Sequence, residues 1–214
     1  MNNGLSIRSA NKLFTSRLLK PTELSSYCFN IAKFSQPQYN AYSDLFPLDE
    51  ILSAAKASDE RYRNGKPLSD IDGIPISIKS NISMRNKPFT AGSNILKNLK
   101  GYDSFVVNQL RKSGAILIGL CSMDEFGMGS LGDNCNNHFA RNPQPHIQRS
   151  FQEEGLQSDD QKLQKIKALS LPEYCIHDIS QDYCYYSGGS SSGSAVSVAL
   201  GSSLASIGTD TGGS

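Results

Sequence analysis

The chain has 214 residues, enough for one large domain or two small ones with a sizeable core. Its 21 basic residues against 20 acidic ones leave a net charge of +1, which excludes the strong basic field of a free-standing nucleic-acid-binding domain. No uncharged apolar run approaches the length of a membrane-spanning helix. The five cysteines, Cys28, Cys121, Cys135, Cys175 and Cys184, form no CxxC pair. Their odd number and scattered spacing argue against a disulfide framework and fit a reducing or matrix-like compartment. Cys175, His177 and Cys184 suit no common zinc module, so no metal is expected.

In chain order, residues 1–20 carry Arg8, Lys12, Arg17 and Lys20, several serines and no acid. That is the composition of a mitochondrial presequence. It also suits an ordinary short helix with Leu5, Ala10, Leu13 and Phe14 on one side. Pro21 starts a clearer helix in which Leu24, Tyr27, Cys28 and Ile31 recur at helical spacing. A further helix is predicted from Leu48 to about Asn64, with Gly65 as its stop. From Gly73 to Lys79 the pattern has period two: Ile74, Ile76 and Ile78 face one way, Pro75, Ser77 and Lys79 the other. Pro75 favours an edge strand or a strand start. Asp103 or Ser104 caps a helix through Val106, Val107 and Leu110 that ends at Gly114. Ala115 to Leu120 follows as a buried strand, and strand, helix, strand in that order predicts an α/β domain with a parallel component. Residues 144–186 are rich in Gln, Ser and charge and read as a polar surface insertion, with one helical piece at Gln161–Ala168.

The chemistry is concentrated at three places. The run Ser187–Ser194 has the composition of a flexible linker. Against that reading, apolar segments bracket it, and a second glycine turn, Thr211–Ser214, follows at strand distance. Consecutive glycines let several N–H groups aim at one point, as an oxyanion site requires. No Gly-Lys-Ser/Thr follows, so a phosphate loop is unsupported. Gly189–Gly193 also matches the G-x-S-x-G nucleophile elbow, but Gln181–Ser187 is a poor strand and no histidine follows. Lys79 is the third place. A lysine ending a strand is usually solvated. If buried it can lose its proton at neutral pH and act as a base toward a serine hydroxyl.

The run Asp72–Asn81 resembles the lysine segment of the amidase signature family, and Gly188–Ser194 with Gly208–Ser214 resembles the signature itself. Ser190 and Ser214 stand 24 positions apart, the spacing that family uses between its two catalytic serines. Within the family, Ser122–Ser130, Lys20–Leu24 and Asn40–Tyr42 are most similar to the branch of glutamyl-tRNA(Gln) amidotransferase A subunits. The polar insertion resembles animal mitochondrial members.

The resemblance implies an α/β fold, a mixed β-sheet core covered by helices. It implies Lys79 as the base, Ser190 as a bridging serine on a cis peptide, and Ser214 as the acyl-forming nucleophile. Backbone N–H groups of Thr211, Gly212 and Gly213 would form the oxyanion hole. The implied reaction hydrolyses glutamine and passes ammonia to a partner subunit, where Glu-tRNA(Gln) becomes Gln-tRNA(Gln). The implied partners are subunits of B and C type, with the tRNA held mainly by the B type and no membrane. ATP and Mg2+ serve the complex, and no cofactor is expected on this chain. A mitochondrial matrix location follows from the same resemblance.

Two departures stand out. Ser192 occupies a position where the family usually has glycine. The sequence stops at Ser214, where the family continues, so the expectation is the N-terminal part of the fold, a fragment or a truncated product inactive by itself. The other readings are a different amidase-signature amide hydrolase and an inactive chain that keeps only a docking surface.

Overall fold

The computed structural model describes residues 5–96, 99–135, 139–144, 146–147, 158–172, 175 and 185–213. Helix α1 spans Ile7–Thr15, and the Ser6 hydroxyl caps it by accepting the Ser9 N–H. It buries Ala10 and Phe14, with Leu5 just before it, and turns Arg8 and Lys12 to solvent. The amphipathic reading of this basic stretch is realised from residue 5 onward, and residues 1–4 lie outside the described ones. Helix α2, Pro21–Tyr39, begins with proline at a position that needs no N–H. The Glu23 carboxylate accepts the Lys20 N–H at 2.8 Å. Leu24, Cys28 and Ile31 form its inner face.

Strand β1, Tyr42–Leu45, has no counterpart in the sequence pattern. Helix α3 runs Leu48–Arg63 and stops at Asn64 and Gly65, whose φ of +65° suits glycine. Strand β2 is Pro75–Lys79, α4 is Phe105–Lys112 and β3 is Ile116–Cys121. The Ser104 hydroxyl caps α4. A short 3-10 turn covers Glu125–Gly127. Helix α5 is Asp159–Lys167, α6 is Ser192–Leu200, and β4 is Ala205–Ile207.

The four strands lie in the order β1-β3-β2-β4. β2 is parallel to both β3 and β4, while β1 is antiparallel to β3. The α/β expectation with a mixed, helix-covered sheet holds. Pro75 is a strand start but not an edge, because β2 runs between β3 and β4. As first residue its missing N–H breaks no ladder bond, and its carbonyl accepts the Leu204 N–H at 2.9 Å.

All five β2 residues are buried, so both faces of the strand are covered. Helix α6 lies over β2, β3 and β4. It can approach closely because its inner side is small: Gly193, Ser194 and Ser197. Ser197 Oγ meets Ser77 Oγ of β2 at 2.8 Å, which satisfies both buried hydroxyls.

The chain's approach to β2 is fixed by Asp72. Its buried carboxylate accepts the Arg61 fork at 2.6 and 2.7 Å, the Ser58 hydroxyl at 2.7 Å and the Leu68 N–H at 2.8 Å. Burial alone would raise its pKa. Arg61, Leu68 and Ser58 outweigh that and hold the carboxyl below its usual range. The loop before β2 is thereby tied to α3.

The described parts of the 144–186 stretch carry Ile147, Ile166 and Cys175 into the core. Helix α5 within it packs on α2. Among the described residues no helix is long and apolar enough to cross a membrane. No group of three or more His, Cys, Asp or Glu among them could hold a metal ion. His177 and Cys184 lie outside them.

Candidate active site

Strand β2 delivers Lys79 to the face that α6 covers, two residues beyond Ser77. The lysine is 0% exposed, so the solvated reading is corrected. Its surroundings explain why: Ser77 on the same face already packs under α6, and Ser190 and Thr209 close over Nζ. Nζ donates to Ser190 Oγ at 2.6 Å and to the Thr209 carbonyl at 3.1 Å. Burial lowers the Lys79 pKa from the ordinary lysine value, while the charges of Asp124 and Asp210 push it back up. A lysine so placed is able to give up its proton and then take one from a hydroxyl in contact with it.

Ser190 sits on the turn that leads into α6, and the Gly189–Ser190 peptide is cis. The turn is no linker. Ser190, Ser192, Gly193 and Ser194 are all buried. Gly193 is required by close packing, since a Cβ there would meet the Ser122 nitrogen and oxygen at 2.6 and 2.7 Å. Before this turn Tyr186 makes only an isolated bridge with Arg141, so the strand that a nucleophile elbow needs is absent among the described residues. Ser192 is the first residue of α6 and does not have positive φ, which is why serine is accommodated where the family has glycine. Its hydroxyl is buried without a hydrogen-bond partner among the described residues.

The turn after β4 closes on the same point. Ser191 Oγ donates to the Thr209 carbonyl at 3.1 Å and accepts the Thr209 N–H at 3.3 Å. Asn81 Nδ2 donates to Thr209 Oγ1 at 3.0 Å. Thr209 thus anchors the segment that runs on through Thr211, Gly212 and Gly213, all exposed. The Gly213 N–H donates to Asp210 Oδ1 at 2.7 Å in this conformation. Ser214 lies outside the described residues.

The structure therefore brings Lys79 and Ser190 into direct contact and fixes Thr209, at the root of the segment carrying the expected oxyanion donors, beside them. Sequence reasoning missed Asp124 and the clamping role of Thr209. Thr209 stands within the signature run. Asp124 had only the local sign of an acid followed by glycines at 127, 129 and 132.

A family model described as Amidase matches residues 23–146. The chain is 35% identical over 99% of its length to the mitochondrial glutamyl-tRNA(Gln) amidotransferase A subunit of Xenopus laevis, and covers 37% of that protein. It is 34% identical over 98% of its length to the corresponding A subunit of Chloroflexus aggregans, covering 36% of it. The human mitochondrial A subunit is 32% identical over 99% of the chain, which covers 37% of it. The chain thus spans little more than a third of the length of these curated relatives. Among solved structures, an amidase superposes with a TM-score of 0.72 at 27% identity, over 98% of this chain and 39% of that one. The glutamyl-tRNA(Gln) amidotransferase A subunit of Thermotoga maritima superposes with a TM-score of 0.62 at 22% identity, over 95% of this chain and 33% of that one.

Proposed function

The chain belongs to the amidase signature family, and from that premise we propose that it supplies the base and both serines of a glutamine-hydrolysing amidotransferase subunit. The observation that carries this reading is the 2.6 Å contact between a fully buried Lys79 and Ser190. Ser214 is the nucleophile and attacks the side-chain amide carbon of glutamine. Its proton passes to Ser190 Oγ as Ser190 gives its own to neutral Lys79. The C–N bond then breaks, and the leaving nitrogen takes the proton back as ammonia. Water repeats the sequence on the acyl-serine and releases glutamate. The N–H groups of residues 211–213 hold the developing oxyanion, which requires Gly213 to exchange Asp210 for the substrate oxygen.

The similarity to A subunits supports a wider role. Ammonia passes to a partner in a complex with B- and C-type subunits, and ATP with Mg2+ activates the glutamate of Glu-tRNA(Gln) there, giving Gln-tRNA(Gln). This chain binds neither ATP nor Mg2+. Its net charge of +1 supports leaving most tRNA contact to the B-type partner. The names of the vertebrate relatives support a mitochondrial location. The test is glutamate and ammonia release from glutamine by the intact protein assembled with its partners. Hydrolysis of simple or fatty amides with none of glutamine would replace this reading by another amide hydrolase. No hydrolysis of any amide would leave only a docking role.

A further inference from the structure

The relay leaves one buried charged group beside Lys79 without a task, the carboxylate of Asp124. It is 0% exposed. Oδ1 accepts the Asn134 N–H at 2.9 Å and Oδ2 accepts the Gly132 N–H at 3.2 Å. The Asp124 N–H donates to the Ser190 carbonyl at 3.2 Å, and its carbonyl accepts the Gly127 N–H at 2.9 Å. The backbones of Gly129 and Gly189 press directly on the carboxyl, where any Cβ would overlap it. The Gly189 N–H in turn donates to the Ser130 carbonyl at 2.9 Å. One residue therefore joins three segments: its carboxylate holds the 129–134 loop and packs on Gly189, while its backbone N–H and carbonyl bind the Ser190 turn and the 124–127 turn.

The placement suits an ionised carboxylate. Both oxygens face N–H donors, and a protonated acid would set an O–H against one of them. The charged groups that act on Lys79 are Asp124, from the loop after β3, and Asp210, from the turn after β4. Asp210 is exposed and screened, so the buried charge is that of Asp124.

We propose that Asp124, as a carboxylate, is the positioning residue of this site: it seats the Ser190 turn against Lys79 and supplies the buried counter-charge when Lys79 carries the relayed proton. The inference rests on the relay proposed above. Asp124 touches no reacting atom and acts through Ser190 and Lys79.

The test is Asp124→Asn in the intact enzyme with its partner subunits, with kcat and KM for glutamine measured across pH. Lys79 must be neutral to act as base, so the rate rises with pH through its pKa. Removing the counter-charge disfavours the ammonium. The acid limb of the profile should therefore move to lower pH by about one unit, a tenfold change in the protonation equilibrium. At the plateau kcat should fall by at least about tenfold while KM is little changed, as expected for misplacement of a relay group. An unmoved limb overturns the inference, whether kcat is kept or falls in step with the unfolded fraction. Lys79→Met measured in parallel separates the two levels: full turnover there removes the relay itself, whereas a dead Lys79→Met with an unmoved Asp124→Asn removes only the role of Asp124. If Asp124→Asn does not assemble, Asp124→Glu decides. It keeps the charge but displaces the seat, so kcat down at least about tenfold with the acid limb near its wild-type position supports the assignment, and wild-type kcat overturns it.

Discussion

Replacing Lys79 by methionine separates what the lysine does for the reaction from what it does for the fold. Loss of a positioned base costs about 10²–10⁴ in rate, or about 3–5 kcal/mol of barrier. The stability balance is different. Methionine keeps the apolar stem buried and removes an ammonium whose burial costs several kcal/mol. Against that, two hydrogen bonds to a charged donor disappear, each worth about 1.5–3 kcal/mol. The Thr209 carbonyl keeps the Ser191 hydroxyl. The two sides nearly cancel, and thermal unfolding should shift by only a few degrees while glutamine turnover collapses. The pH dependence carries a second signature. The folded-state pKa of Lys79 lies below its unfolded value of about 10.4. The unfolded chain therefore binds more protons between those values, and stability contributed at Lys79 rises with pH across that window. Below it the cost of the buried ammonium is fully present. Lys79→Met should lack that rise. Turnover within tenfold of wild type, or a loss accounted for by unfolding, refutes the reasoning.

Arg61→Ala should destabilise by about 2–3 kcal/mol in denaturant melts, because it strips the fork from a buried carboxylate whose partner is itself partly exposed. Since the Asp72 pKa is depressed, its contribution is present above the ordinary carboxylate range and lost as pH falls through the lowered value. The variant should therefore unfold at higher pH during acid titration, and Lys at 61 should not restore the fork. Gly193→Ala should lower the melting temperature by overpacking α6 on Ser122, at about 1–3 kcal/mol. An unchanged melt would contradict the close approach. Ser192→Ala should raise stability by about 1 kcal/mol, since it deletes a buried hydroxyl that has no partner among the described residues. A lower melting temperature in calorimetry would show that the hydroxyl is satisfied.

Helices α2 to α4 and the two central strands are legible in the sequence because their apolar positions repeat with a clear period and their caps are local: Ser104 for α4, Pro21 for α2, Gly65 after α3. Strand β1 is not. It has four residues, only Tyr42 is fully buried, and its pairing with β3 is set by tertiary contact rather than by pattern. The three alternating isoleucines reveal one face of β2 but not what covers the other. That depends on α6 reaching the strand from more than 100 positions away, which only its small residues permit. The same distance hides the burial of Lys79, and the family motif supplies what periodicity cannot. Pro75 misleads toward an edge because a proline at the first position of an inner strand looks the same in sequence. Ile147, Ile166 and Cys175 are isolated apolar residues in a polar stretch, and their place in the core is set by tertiary contact rather than by pattern. Asp124 shows the limit most plainly, because its meaning lies in loops that meet only after folding.

The most direct measurement of the central claim is peptide mass spectrometry of the intact enzyme after treatment with a glutamine-derived electrophile that acylates or alkylates the attacking serine. The account predicts a covalent adduct on Ser214 in wild type, its near absence in Lys79→Met, and protection by excess glutamine. An adduct on Ser190 with Ser214 unmodified, or equal labelling in Lys79→Met, would contradict the assignment of Ser214 as nucleophile and Lys79 as its base.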